Sequence, residues 1–205
     1  MVNTSRPLVA LDIDGVLNPD PVEPCHPALV ARLPGYVEHE ITMPASDRHL
    51  PYLRGHGVDN ITGRVLVNDA HAQWIRSLLG HGVEVSWATT WEHYANEVFG
   101  PLLGLPELPL AIEFHADVEN GHYHPRMFGF GAAEWKGEAL WHRHQGRPLV
   151  WIDDRASPLA RIDVHGNPVD RGAPTLSIRC AGEVGLTRDE MQRVDDWLTR
   201  LRNNR

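Results

Sequence analysis

Short apolar runs alternate with segments of helical period along most of this 205-residue chain. The first run, Leu8 to Leu11, has the character of a buried strand and stops abruptly at Asp12. Asn68 or Asp69 can cap a helix that carries Ala70, Trp74, Leu78 and Leu79 on one stripe, with Gly80 and Gly82 to stop it. A strand over residues 83–88 comes next and ends in Thr89-Thr90, followed by a helix over 91–100 and a short strand around 108–114. Residues 132–144 read as a helix and 148–152 as a buried strand ending in Asp153-Asp154, with a last strand over 175–178. Thr187-Arg188-Asp189-Glu190 is a capping box, opening a helix that buries Met191, Val194, Leu198 and Leu201. Strands alternating with helices predict βαβ units, hence an α/β fold with a mostly parallel sheet.

Residues 19–68 break this rhythm. They hold seven prolines and four glycines, with one strand over 36–43 and a second over 64–67. A structureless loop of that length does not suit a compact domain, so the segment reads as a hairpin-like insertion over the end of the first strand of a single domain.

Composition narrows the function. A net charge of −8 excludes a broad basic surface for nucleic acid, although a local basic groove remains compatible with it. Cys25 and Cys180 lack metal-ligand spacing and read as free thiols in a reducing compartment, a single bridge between them being the alternative. No signal-peptide pattern opens the chain and no apolar stretch reaches membrane-spanning length, so a cytoplasmic protein without membrane attachment or an obligate protein partner is expected. The basic residues are biased: 18 are arginine and one is lysine, Lys136. Such a bias marks Lys136 as a place where a compact ammonium is wanted, or as a survivor on a solvated helix face.

The chemistry starts at Asp12-Ile13-Asp14-Gly15. Two carboxylates at the end of a buried strand need a partner, and a hard divalent cation is the natural one. In an open parallel sheet the loops after the strands share one edge, where ligands bind. Asp12-x-Asp14, Thr89-Thr90 and Asp153-Asp154 all follow predicted strands, and Lys136 lies on the helix leading into the last of these. This order of Asp-x-Asp, Thr, Lys and Asp-Asp, spanning about Val9 to Arg155, resembles the four motifs of the haloacid dehalogenase superfamily.

The resemblance implies a Rossmann-like three-layer sandwich and an Mg²⁺-dependent phosphomonoester hydrolase. It implies Asp12 as the nucleophile that becomes an aspartyl-phosphate and Asp14 as the general acid and base. Lys136 would offset the charge of the phosphoryl group, Thr89 or its neighbour Thr90 would hydrogen-bond it, and Gly15 with adjacent amides would cradle it. Asp12, Asp14 through its backbone carbonyl, Asp153 and Asp154 are the implied metal set, with either Asp153 or Asp154 as the direct ligand and Asp154 otherwise acting through water or orienting the lysine. Charge explains why such groups must cluster, since two like charges ~4 Å apart repel by about 4 kcal/mol at a surface-like dielectric. Dehalogenases of this family lack the second aspartate, so Asp14 argues for phosphoryl transfer.

Substrate choice in the family resides in the segment after the first motif, here 19–68, where Arg32, Arg48, Arg54 and Arg64 are candidate contacts for an anionic substrate. A phosphorylated small molecule or nucleotide is the expected substrate. The Trp87-Ala88-Thr89-Thr90-Trp91 run and Ile152-Asp153-Asp154-Arg155 are also similar to haloacid dehalogenase-like domains of nucleic-acid end-repair enzymes, which adds a polynucleotide end as an alternative. A non-catalytic phospho-ligand module is the alternative of another class. His122-x-His124 and His142-x-His144 read as surface histidines rather than a zinc site, Trp87 as core, and Trp91 as core or a substrate contact.

Overall fold

The computed structural model describes residues 6–19, 33–44, 60–122, 132–159, 161, 162, 165 and 167–203. Cys25, Arg32, Arg48, Arg54 and His124 lie outside them. Strand β1 (Leu8–Leu11) is wholly buried. Its alternating side chains divide between two cores, as the period of two in a strand requires. Val9 and Leu11 enter the larger cluster, and Leu8 and Ala10 the smaller one on the opposite face.

Strands β2 (Tyr36–Pro44) and β3 (Asn60–Asn68) pair antiparallel, with Tyr36 opposite Asn68 and Pro44 opposite Asn60. The second strand is therefore longer than residues 64–67, because only its last part is apolar: Val65, Leu66 and Val67 are buried while Thr62 and Arg64 are exposed. Ile41, Val65 and Val67 join the larger core.

The chain passes from β3 straight into α1 (Asp69–Gly80), where the Asn68 side chain caps the Ala70 N–H at 3.0 Å. The buried stripe is His71, Ala72, Ile75 and Leu78. Trp74 and Leu79 are half-buried and Ala70 is exposed, a rotation from the expected stripe. The reason is His71, which turns inward because its Nε2 lies 2.8 Å from the Leu186 carbonyl.

After β4 (Glu84–Trp87), the expected helix over 91–100 is a π-helical turn, Ala95–Phe99, running into a single α-turn, Gly100–Leu102. Pro101 has no N–H for a regular helix, and the Asn96 side chain is engaged with Trp87 and Leu108. The expected strand around 108–114 is reduced to one bridge between Leu110 and Trp87. Pro109 cannot donate to a ladder, and the chain turns into α2 (Phe114–Glu119) instead. Helix α3 (Ala132–Arg143) packs Trp135, Ala139 and Leu140 on the smaller core and leads to β5 (Leu149–Asp153).

Two short antiparallel strands, β6 (Arg161–Ile162) and β7 (Pro168–Val169), precede β8 (Thr175–Arg179). Helix α4 (Arg188–Asn203) opens with the capping box formed: the Thr187 N–H donates to Glu190 Oε2 at 2.8 Å and the Glu190 N–H to Thr187 Oγ1 at 3.3 Å. It buries Val194 and Leu198, whereas Met191 and Leu201 are only half-buried.

The central sheet has the order β4-β1-β5-β8, with every pair parallel. From β1 the chain builds first to one side, at β4, and later to the other, at β5 and β8. The switch point thus lies between β1 and β5, where a doubly wound sheet opens a crevice beyond its carboxyl ends. Helix residues cover both faces: Ala72, Ile75, Leu78, Val194 and Leu198 on one, the α3 residues on the other. Among the described residues, no helix is long and apolar enough to cross a membrane. Cys180 is a free, buried thiol.

Burial holds His71 below the usual imidazole range, opposed by its bond to Leu186. His71 is therefore neutral in the fold, while in the unfolded chain it takes a proton near a pH of about 6.5. The stability it contributes is complete above that pH and declines as pH falls below it. Urea midpoints at pH 7.5 and 5.5 should show a smaller fall for His71→Gln, which keeps an N–H for Leu186 and cannot titrate, than for wild type. Equal falls would contradict the neutral, buried assignment.

Candidate functional site

Asp12, Thr89 and Asp153 stand at the carboxyl ends of three neighbouring strands. The parallel register sets Leu11 beside both Trp87 and Ile152. Backbone bonds extend it one residue further, from Asp12 N to the Ile152 carbonyl at 3.0 Å and from Ala88 N to the Leu11 carbonyl at 2.8 Å. Asp12 and Asp153 therefore meet across the switch point.

The lysine joins them. Lys136 lies on the stripe of α3 that faces the sheet, at helical spacing from Ala139 and Leu140. Its Nζ donates to Asp12 Oδ2, and to Asp153 Oδ2 at 2.8 Å. Lys136 is 5% exposed, Asp12 3% and Asp153 1%, so the single lysine of the chain is a buried ion-pair partner and not part of a solvated helix face. The outer carboxylate oxygens are held by the backbone: Asp12 Oδ1 accepts the Ile13 N–H and Asp153 Oδ1 the Arg155 N–H, both at 2.8 Å.

One ammonium does not neutralise two buried carboxylates. Burial pushes the Asp12 carboxyl up, Lys136 pulls it back and the Asp153 charge raises it again, leaving it at about 7. Burial alone would depress the Lys136 ammonium, but the charges of Asp12 and Asp153 raise it above its ordinary value. Asp154, half-buried beside them, is raised by burial and by Asp153. Oxygens of Asp12, Asp153 and Asp154 lie within 4.8 Å of one another, which makes these three the residues that can hold a metal ion among those described. The hydrogen bonds that orient Lys136 run to Asp12 and Asp153.

The Asp14 carboxylate is not part of this cluster. Its Oδ1 accepts from Asn18 Nδ2 at 3.0 Å and its Oδ2 from Trp91 Nε1 at 2.7 Å. Gly15 has φ +70°, and a Cβ there would sit 2.7 Å from Asp154 Cβ, so the residue must be glycine for both turn and clearance. The Gly15 N–H is engaged with the Asn18 carbonyl at 2.8 Å and the Val16 N–H with the Ile13 carbonyl at 3.1 Å, so neither of these amides is turned toward a ligand.

Thr89 and Thr90 separate clearly. Thr89 is buried at 1% exposure and Thr90 is exposed. The Thr89 Oγ1 accepts the Trp91 N–H at 3.3 Å, which leaves its own proton available to donate. Trp87 is core, as expected, with its indole N–H on Asn96 Oδ1 at 2.8 Å. His142 and His144 point to different partners: His144 Nε2 lies 3.0 Å from the Ala111 carbonyl, while the His142 ring stacks on that of His122. His122, His142 and His144 are half-buried, so the surface reading does not hold for them.

Two site-shaping residues, Asn18 and Glu92, carry no role in the sequence reading, and Trp91 has one besides core packing or substrate contact. Asn18 gives the first-strand loop its second anchor, since its Oδ1 accepts the Leu66 N–H of β3 at 2.9 Å. Trp91 acts here through its N–H on Asp14. Glu92 holds φ 47°, in the left-handed region that glycine prefers, and its buried carboxylate accepts the Phe114 N–H at 2.8 Å. The only sequence signal was their nearness to the motifs. Comparison with protein-family models, curated proteins and solved structures gives no match to this chain.

Lys136→Met should destabilise the fold by about 3–5 kcal/mol, because two buried carboxylates then lack their counter-charge. Adding Asp12→Asn should recover part of that loss by removing one of them. Urea denaturation at pH 8 measures both. A Lys136→Met protein as stable as wild type would mean that the ion pairs do not form in solution.

Proposed function

We propose that this chain is a haloacid dehalogenase-like phosphomonoester hydrolase, with Asp12 as nucleophile. The observation that carries the reading is Lys136 buried between Asp12 and Asp153 at the switch point of a parallel sheet. The remaining features agree with the three-layer arrangement and the four motifs of that family. The β2–β3 hairpin follows the first motif along the chain, which supports reading it as the family's substrate-selecting insertion, and it is fastened to the core by the Asn18–Leu66 bond and by Tyr94 Oη donating to the Pro44 carbonyl at 2.6 Å.

The chemistry follows from charge and reach. An Asp12 oxygen attacks the phosphorus of a phosphomonoester as the bond to the leaving oxygen breaks, and that oxygen takes the electron pair and a proton from Asp14. The product is an aspartyl-phosphate on Asp12 and a free alcohol. Water then attacks the phosphorus while Asp14 takes its proton, the acyl-phosphate bond breaks, and Asp12 returns as a carboxylate beside inorganic phosphate. Lys136 stabilises the charge on both the carboxylate and the phosphoryl oxygens. Thr89 donates its hydroxyl proton to a phosphoryl oxygen.

Asp12, Asp153 and Asp154 fit a hard divalent cation such as Mg²⁺: the donors are all oxygen, and the two buried carboxylates of Asp12 and Asp153 share the single ammonium of Lys136. When bound, the cation would screen the phosphoryl group from the nucleophile. The substrate class is a phosphorylated small molecule or nucleotide.

Hydrolysis of an aryl phosphate tests the proposal. Wild type should turn it over with Mg²⁺ and fall silent with chelator, and Asp12→Asn should lose more than ~10³-fold even with Mg²⁺. Turnover that persists in Asp12→Asn, with a contaminant excluded, would contradict it.

A further inference from the structure

We propose that Trp91 is a positioning residue for Asp14: its indole N–H fixes the carboxyl in the orientation from which a proton is delivered to the leaving oxygen. The inference rests on the phosphomonoesterase reading and goes beyond it, because a tryptophan next to a phosphate-binding threonine would ordinarily be assigned to core packing or to stacking on substrate.

Asp14 lies beyond the end of β1, half-buried, on a loop, so nothing in the strand ladder sets its side-chain torsions. Two donors from different parts of the chain do. Trp91 Nε1 holds Oδ2 at 2.7 Å and Asn18 Nδ2 holds Oδ1 at 3.0 Å. The orientation of the Asn18 amide is itself determined, since its oxygen accepts the Leu66 N–H at 2.9 Å. Indole and amide nitrogens donate and do not accept. A proton on Asp14 therefore has no acceptor in either partner, and its outlet is a group entering from the open side of the carboxyl.

Trp91 is in turn immobilised. Its ring meets Phe99 edge-on, with centroids 5.8 Å apart, and its backbone N–H bonds Thr89 Oγ1. One residue thereby fixes the separation between the hydroxyl that would hold the phosphoryl group and the carboxyl that would protonate what leaves it. Positioning of this kind governs rate steeply, because an error of about 1 Å can cost ~10²-fold.

Leaving-group chemistry distinguishes positioning of an acid from a structural role. An alkyl phosphate must have its departing oxygen protonated, whereas a nitrophenyl phosphate departs as a stable anion. The ratio kcat/KM covers only steps through cleavage of that bond, so the later use of Asp14 as a base does not enter. Trp91→Phe keeps an aromatic ring on the Phe99 side and removes the N–H donor along with part of the ring volume. It should lower kcat/KM for the alkyl ester by ~10-fold or more while leaving that for the aryl ester within about twofold, which also confirms that the variant is folded. Equal losses on the two esters, or no loss on either, would overturn the assignment. Wild type inert toward both esters would overturn the hydrolase reading instead, and the contact is then read alone by NMR. The Trp91 indole proton, assigned with Trp91→Phe, should move upfield in Asp14→Ala; an unmoved resonance would overturn the positioning role.

Discussion

Two carboxylates buried side by side at the ends of adjacent strands are the constraint from which most of this structure follows. Asp12 and Asp153 reach that position because β1 and β5 are the two strands flanking the switch point, paired in parallel register up to Leu11 and Ile152. Buried anions of this kind are tolerable only with a charge partner. Lys136 is that partner, and its place on the sheet-facing stripe of α3 forces a charged side chain into an otherwise apolar helix face. The helix, both strands and their loops are thus tied to one another by a polar contact as well as by packing. Replacing these groups with apolar ones would suit the core better, so packing alone does not account for them.

Around this centre lies a second set of contacts with a different purpose. They set the directions of the polar groups around it. Gly15 turns the chain past Asp154, Asn18 ties the loop to the hairpin at Leu66, and Trp91 links the Thr89 turn to Asp14. Glu92 accepts a left-handed backbone in the same turn and supplies its carboxylate to Phe114. Strain of this sort persists where the surroundings hold it in place. The first-strand loop, the β4 loop and the hairpin consequently act as one polar framework over the sheet edge.

How much of this could be read in advance depended on the kind of signal. Apolar runs and capping residues mark burial and helix ends, so β1, α1, β4, α3, β5, β8 and α4 were legible to within a few residues. The lone lysine among 18 arginines was legible from composition. Where polar side chains found distant partners, the pattern misled or was silent. His71 rotated α1 by bonding Leu186, far along the chain, and Pro109 prevented a strand whose neighbours are apolar. Asn18, Trp91 and Glu92 make contacts between segments that share no periodicity. Hydrophobic spacing reports which residues leave water, and it carries no information about which donor will meet which acceptor. The same limit left Thr89 and Thr90 indistinguishable until burial separated them.

The most direct test is to look for the covalent intermediate itself. In Asp14→Asn an activated aryl phosphate can still phosphorylate the nucleophile, since its leaving group needs no proton, but water is no longer deprotonated for the second step. Rapid-quench mass spectrometry of that variant with Mg²⁺ should find one added phosphoryl group, on the peptide carrying Asp12. A phosphoryl group on any other residue, or none while the wild type turns over the same ester, would contradict Asp12 as the nucleophile and with it the function proposed for this site.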